Sequence, residues 1–488
     1  MKICLLFILI PLIGFNQTQI GSDIDGEFDG DRSGVCSISG DGNRIAVGAS
    51  RNDGTGFNAG HVRVYELQSG NWVQMGQDID GEASNDLSGT ALSLSHNGNR
   101  IAIGAPQNSS SGTSAGHVRV YELQTNTWVQ IGQDIDGESS GDDSGEAVSI
   151  SGDGNRVAIG ARQNDGNGDR SGQIRIYELQ SNNWVQLGAD IDGQATLDFF
   201  GWSVSISSDG SRVAASAINN DTNGSNSGQV RVFEFHDNDW IQLGGSINGE
   251  GEQDQSGFSL SLSANGNIVA IGANRNDGNG SNAGHVRVFK LQSNNWVQLG
   301  QDIDGELASD LFGEALSLSD SGNRIAIGAP FNDSLGDASG RVTIYDFQNN
   351  SWTQVGTYID GEAPEDFFGQ YLEMSSDGER IIIGAIQNSG SGSFQGHARV
   401  FDLPQPTLDI NSFLLETVRI YPNPTKDVQT ISLPIGLELE GINIFNSLGQ
   451  KVLHSKKSNL NLNKLSPGTY VLEINTSNGK VLKKIIKE

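Results

Sequence analysis

Cysteine is almost missing: only Cys4 and Cys36 occur in 488 residues. Cys4 lies at the start of an apolar N-terminal run rather than after it, so it is not placed for lipid modification and is expected to be removed with that run. A fold held by internal disulfides is thereby excluded, and Cys36 reads as a small core side chain. Positive charge is also scarce, with 30 Lys and Arg against 59 Asp and Glu and a formal net charge of −29. An acidic surface argues against nucleic acid and anionic membrane as partners, and favours solubility, cations or cationic ligands. The apolar run from Ile3 to Phe15, preceded by Lys2, is too short to span a bilayer and has the form of a secretory signal. The mature chain is expected to have no transmembrane segment. Helical periodicity is lacking as well: no apolar spacing of about 3.6 residues persists, and Gly interrupts every candidate, which excludes a helical solenoid.

What is present is repetition. The stretch from Asp302 to Thr357 recurs with substitutions, and Asp78, Asp134, Asp190, Ser246, Asp302 and Tyr358 open copies 56 residues apart. A first copy opens at Asp23 and is one residue shorter near Val35. A fixed period of this size marks a repeat architecture in which each unit buries apolar faces against its neighbours. Each unit reads as four short strands, in the sixth copy Ala315 to Ser319, Arg324 to Ala329, Gly340 to Phe347 and Trp352 to Tyr358. Seven such units predict an all-β chain, a seven-bladed β-propeller over residues 17–403. The 65 Gly fit the many tight turns this needs. Gln17 to Gly21 aligns with Trp72 to Gly76, and the seventh copy stops after its third strand. The N-terminal segment is therefore expected to supply the missing outer strand.

The repeats separate scaffold from candidate site. Trp72, Trp128, Trp184, Trp240, Trp296 and Trp352 share one position and read as packing residues between blades. Trp202 stands elsewhere and reads as a bulkier core. His61, His117, His285 and His397 share a position held by Gln173, Gln229 and Arg341 in other copies, and read as polar strand-end residues. The long loops and the Asp-Ile-Asp-Gly-Glu links fall at one end, the default place for a binding surface. An Asp recurs in every link, at 31, 86, 142, 198, 254, 310 and 366. It reads as a cap on backbone N–H groups or as a partner for the Arg that opens strand two. The alternative is Ca²⁺ held by Asp23, Asp25 and Asp31, by Asp78, Asp80 and Asp86, by Asp134, Asp136 and Asp142, by Asp190, Asp192 and Asp198, and by Asp302, Asp304 and Asp310, because hard cations take clustered carboxylates.

Phe312-Gly313 followed by Gly328-Ala329-Pro330 resembles the FG-GAP repeat of integrin α-chain propellers. Phe200-Gly201, Phe368-Gly369 and Gly104-Ala105-Pro106 keep one signature each. The resemblance implies a propeller used for extracellular binding. The calcium loop that family often places between the two signatures has no counterpart in Glu314 to Ile327. Beyond a linker at 404–416 the composition changes: residues 412–488 hold 10 Lys and Arg against 6 Asp and Glu, leaving 20 against 53 elsewhere. Tyr421-Pro422-Asn423-Pro424, Ile444 to Val452, Leu465 to Tyr470 and Lys483 to Lys487 follow in order over 417–488. This segment resembles the type A C-terminal sorting domain of type IX secretion substrates, which implies a small β-sandwich and the type IX secretion machinery as partner. Alternating runs such as Tyr470 to Ile474, with turns at Asn446 to Gly449 and Asn478-Gly479, already predict a small all-β domain.

No single blade carries a Ser/His/Asp set, a carboxylate pair or a His cluster, so the leading expectation is a secreted or surface-exposed, non-catalytic binding protein for an extracellular glycan or protein. An exported polysaccharide- or protein-degrading enzyme on the same scaffold and a structural surface component are the alternatives.

Overall fold

The computed structural model describes residues 17–390, 392–404, 418–433, 439–446, 450–476 and 479–488. The expected signal segment with Cys4, the linker beyond Pro404 and the turn residues 447–449 and 477–478 lie outside the described residues. Among those described, regular structure is all β, and the chain divides into two compact units between Gln405 and Pro406.

The described residues of the first unit form seven antiparallel sheets. In the second copy, Ala91–Leu94, Arg100–Ala105, His117–Gln124 and Thr127–Gln130 pair in chain order. After its opening residue the second strand of each sheet is buried throughout rather than on alternate residues, because sheets pack on both of its faces; in Arg100–Ala105 every residue after Arg100 is buried. Gly is required where sheets approach most closely: a Cβ on Gly104 would collide with the Gly145 carbonyl of the next copy. In the sixth copy the strands are Ala315–Leu318, Arg324–Ala329, Arg341–Gln348 and Ser351–Asp360, within about two residues of the reading from sequence.

The links are more ordered than expected. Ile79–Asp80 is extended and pairs back onto the third strand, Val62 opposite Ile79 and His61 opposite Asp80. The same pairing recurs at Ile24–Asp25, Ile135–Asp136, Ile191–Asp192, Ile247–Asn248 and Ile303–Asp304. The link Ile is buried each time, and burial of that side chain draws a segment read as loop into the sheet.

Neighbouring copies are tied at three levels. Apolar clusters straddle successive sheets; one joins Val62 and Val64 to Ile101, Ile103 and Tyr121. Each of the six repeated Trp donates its indole N–H to a carbonyl of the preceding copy, Trp128 to Met75 at 2.9 Å and Trp240 to Leu187 at 2.7 Å. At the turn between strands one and two, backbone N–H groups bond from copy to copy: Gly40 to His96, His96 to Gly152, Gly152 to Ser208, Ser208 to Ala264, Ala264 to Asp320, Asp320 to Ser376, and Ser376 back to Gly40, all at 2.8–3.1 Å. The series ends where it began.

The seventh sheet draws on both ends of the unit. Thr18–Gln19 pairs with His397–Asp402, Thr18 opposite Asp402 and Gln19 opposite Phe401. Gln17, at the repeated Trp position, donates to the Thr357 carbonyl at 2.7 Å, and Trp72 donates to Ile20 at 3.0 Å.

In the second unit, Arg419–Tyr421, Val428–Ser432 and Asn459–Asn461 form one sheet. Lys451–Ser455, Leu439–Phe445, Gly468–Thr476 and Gly479–Lys487 form another. Ile431, Ile442, Leu460, Leu472 and Ile485 share a single apolar cluster.

Candidate functional site

The three carboxylates of a link have three different surroundings. The third is buried and caps a turn. Asp86 accepts the Ala83 N–H at 2.9 Å and the Asn108 side chain at 3.0 Å. Asp31 accepts from Glu27, Phe28 and Asn52, Asp142 from Ser139 and Asn164, Asp198 from Ala195 and Asn220, and Asp310 from Asn332. The Arg opening strand two pairs elsewhere, Arg100 with Glu122 at 2.8 Å and Arg324 with Asp346 at 2.6 Å. The second carboxylate, at Asp25, Asp80, Asp136, Asp192 and Asp304, is exposed on the short strand of the link. The first accepts from a Gln four residues upstream: Gln19 to Asp23, Gln74 to Asp78, Gln130 to Asp134, Gln186 to Asp190 and Gln298 to Asp302, at 2.5–2.7 Å.

Among the described residues, groups of three ligand-type side chains with atoms within 4.8 Å of one another take only this first Asp, and they take a His that the sequence reading set aside. They are Glu27, His61 and Asp78; Glu82, His117 and Asp134; Glu250, His285 and Asp302; and Asp23, Glu362 and His397. The four rings are buried, at 0–2 % exposure. Burial, aided by the charge of Arg63, lowers His61 to about 4, and the other three are lowered for the same reason, with Arg119, Arg287 and Arg399 beside them.

A second region lies where the first strands of all the copies meet, in a cavity of about 440 Å³. One repeat position, the residue after the Gly that precedes strand one, contributes Thr90, Glu146, Trp202, Phe258, Glu314 and Gln370 to its wall. The first copy lacks this residue, its missing position. Elsewhere the copies repeat nearly the same side chain, whereas here they differ in charge, size and aromaticity. Arg162 bonds Glu146 at 2.5 Å and lies over the Trp202 ring at 4.3 Å, and Trp202 meets Phe258 at 5.4 Å. Asn274 donates to Glu314 at 2.6 Å. Trp202 is thus a cavity wall and not the bulkier core residue expected. Burial raises Glu146 and Glu314 above the usual carboxyl range and pushes Tyr371 up to about 12. Glu146 Oε2, Asn274 Oδ1 and Gln370 Oε1 are buried and lack a hydrogen-bond partner. Just before this position, Leu87, Asp143, Phe199, Gln255, Leu311 and Phe367 all hold a left-handed backbone, φ 52–56°, a conformation bulky side chains adopt only when the surroundings impose it.

Further along the first strands, Ser37, Ser93, Ser149, Ser205, Ser261 and Ser317 each accept the strand-one N–H of the following copy at 3.0–3.2 Å. In the seventh copy Glu373 takes that place and accepts the Ile38 N–H at 2.9 Å. Searching one blade at a time could not find this convergence, since each blade gives one residue; comparing the copies position by position would have found it.

Known proteins resemble parts of the chain. Residues 419–488 match the secretion system C-terminal sorting domain, and residues 190–233 match the FG-GAP repeat; both resemblances read from the sequence are borne out. The sorting domain makes the chain a substrate of the type IX secretion machinery, bound for secretion or cell-surface attachment. A stretch of 86 residues, 17 % of the chain, is 33 % identical to ulvan lyase NLR42 of Nonlabens ulvanivorans and spans 16 % of that protein. A candidate 6-phosphogluconolactonase of Bacteroides uniformis superposes with a TM-score of 0.47 at 12 % identity, over 67 % of this chain and 85 % of that one. The periplasmic gluconolactonase PpgL of Pseudomonas aeruginosa does so with a TM-score of 0.45 at 17 % identity, over 68 % and 85 %. No helix among the described residues is long and apolar enough to cross a membrane.

Proposed function

We propose that residues 17–403 close as a seven-bladed, integrin-α-like β-propeller and that 417–488 form a β-sandwich sorting domain behind a linker at 404–416. Residues 1–16 act as the signal peptide. The exported propeller is a non-catalytic binding protein, an adhesin or glycan-binding protein, and its ligand enters the axial cavity. One observation carries this reading: in a ring of near-identical copies, the six residues that converge on the axis are Thr90, Glu146, Trp202, Phe258, Glu314 and Gln370. Packing alone has no need of such diversity, whereas recognition of an asymmetric ligand does. Unpartnered polar atoms of Glu146 and Gln370 line the same space, and an aromatic wall beside polar groups suits a sugar ring.

A second reading rests on the same cavity. Glu146 and Glu314, both raised by burial, and Arg162 are the unlike groups that a polysaccharide-cleaving enzyme requires, and the short stretch similar to an ulvan lyase is consistent with it. A glycan array probed with the secreted full chain, with and without Ca²⁺, separates the readings when binders are then assayed for cleavage. Bound glycans that remain intact, with affinity lowered at least about tenfold by Trp202→Ala, are expected. Cleavage that stops in Glu314→Gln would establish the enzyme, and affinity unchanged in both variants would remove the ligand from the cavity.

A further inference from the structure

We propose that His61, His117, His285 and His397 are ligands in four sites for a divalent transition metal, with Zn²⁺ the best match, set around the ring where each third strand meets the next link. Each site supplies one ring nitrogen and two carboxylate oxygens, all within 4.8 Å of one another. The contacts have the wrong length for hydrogen bonds: His61 Nδ1 stands 3.9 Å from Glu27 Oε2, and His397 Nδ1 stands 3.9 Å from Asp23 Oδ2. Two ligands on one ion, each at about 2.0–2.2 Å from it, span up to about 4 Å.

The rings point to a missing partner. His117 is 0 % exposed, and neither of its nitrogens has a hydrogen-bond partner, so the one that faces Glu82 and Asp134 is free to bind an ion. Buried polar atoms in a native fold find a partner in protein, water or an ion. Nearby arginines leave one oxygen of each Glu for that ion. Arg63, Arg119, Arg287 and Arg399 all face Oε1 of their Glu, at 3.2–3.7 Å, and in Glu27 it is Oε2 that turns toward His61.

The copies without His vary in a way that follows charge. In the fourth, Gln229 replaces His, and both acids are gone as well, replaced by Gln194 and Ser246. In the sixth, Arg341 brings its own cation, bonded to Asp360 at 2.7 Å and 4.0 Å from Glu306. The third keeps Glu138 and Asp190, and Gln173 donates to Glu138 and Asp192 at 3.3 Å beside an open cavity. Where His is present, both acids are present too. A nitrogen ligand among carboxylates selects a borderline ion over Ca²⁺ or Mg²⁺, which take oxygen donors. Of the link acids considered for Ca²⁺, only the opening ones join these sites; Asp31, Asp86 and Asp142 are held in turn caps, and Asp310 accepts from the Asn332 side chain.

The test uses the secreted full chain, stripped with chelator and titrated with Zn²⁺. Four equivalents are expected, one per group. Each single substitution of His117→Gln or His285→Gln should remove one equivalent, and the fourfold H61Q/H117Q/H285Q/H397Q variant should lose all of them with its circular dichroism unchanged, because the third and fourth copies already carry Gln at this position. Co²⁺ in place of Zn²⁺ should give visible absorption that disappears in the fourfold variant. Zinc uptake equal in wild type and the fourfold variant, less than one equivalent in wild type, or four-site Ca²⁺ binding insensitive to the His substitutions would each overturn the proposal.

Discussion

Glu373 is one carboxyl in a ring of serines. Burial raises it from 4.5 to about 7, against the bonds it accepts from Ser37 and the Ile38 N–H. The folded chain therefore holds this proton more tightly than the unfolded chain, and the group's contribution to stability is present at low pH and lost as pH rises from 4.5 through about 7. Wild type should lose on the order of 2 kcal/mol relative to Glu373→Ser across that window. Urea unfolding of both proteins on either side of it measures the difference, and parallel pH curves would show that Glu373 is not proton-linked to folding. Individual residues were unevenly legible. The repeated Trp could be read as inter-blade packing because six copies agree, and the indole bonds to the preceding copy show the same role. Glu373, Trp202 and the four His could not be read so easily, since their meaning lies in differences between copies and in neighbours far away in the chain.

Among the elements, the two-residue strand Thr18–Gln19 has the largest consequence for its size. It covers the outer edge of His397–Asp402, and the following residues place Ile20 under Trp72 and Asp23 beside His397. Removal of 17–21 should expose that edge, leave the Trp72 indole without its carbonyl, lower stability by on the order of 3 kcal/mol and increase aggregation. Thermal unfolding and light scattering check this; an unchanged melting curve with no scattering would show that closure does not depend on the strand. Strands bounded by turn residues and rich in β-branched side chains were readable within about two residues. The short link strands were not, because two residues carry no periodicity, and what makes Ile79 extended is the cluster it enters with Val62 and Leu92.

At the scale of the whole molecule, the second unit has an apolar cluster made only of its own residues, and the family match falls on 419–488. A chain ending at Pro404 should therefore fold its seven sheets and fail to appear at the cell surface in its native host. Surface labelling and cell fractionation decide this, and normal display of the shortened chain would refute a sorting role for the tail. The sequence by itself determined the repeat, the all-β class, the acidic surface and the sorting tail. Each of these is carried by short-range signals: turn residues, strand composition and ordered motifs that hold whatever surrounds them. Only the tertiary structure decided what the acids and the odd residues do. The same Asp-rich link becomes a buried cap at Asp86, an exposed strand residue at Asp80 and a neighbour of His61 at Asp78, because its surroundings come from strands that close on it. Glu146, Trp202 and Glu314, each 56 residues or more from the next, reach one cavity only because the first strands of all the copies contribute to its wall.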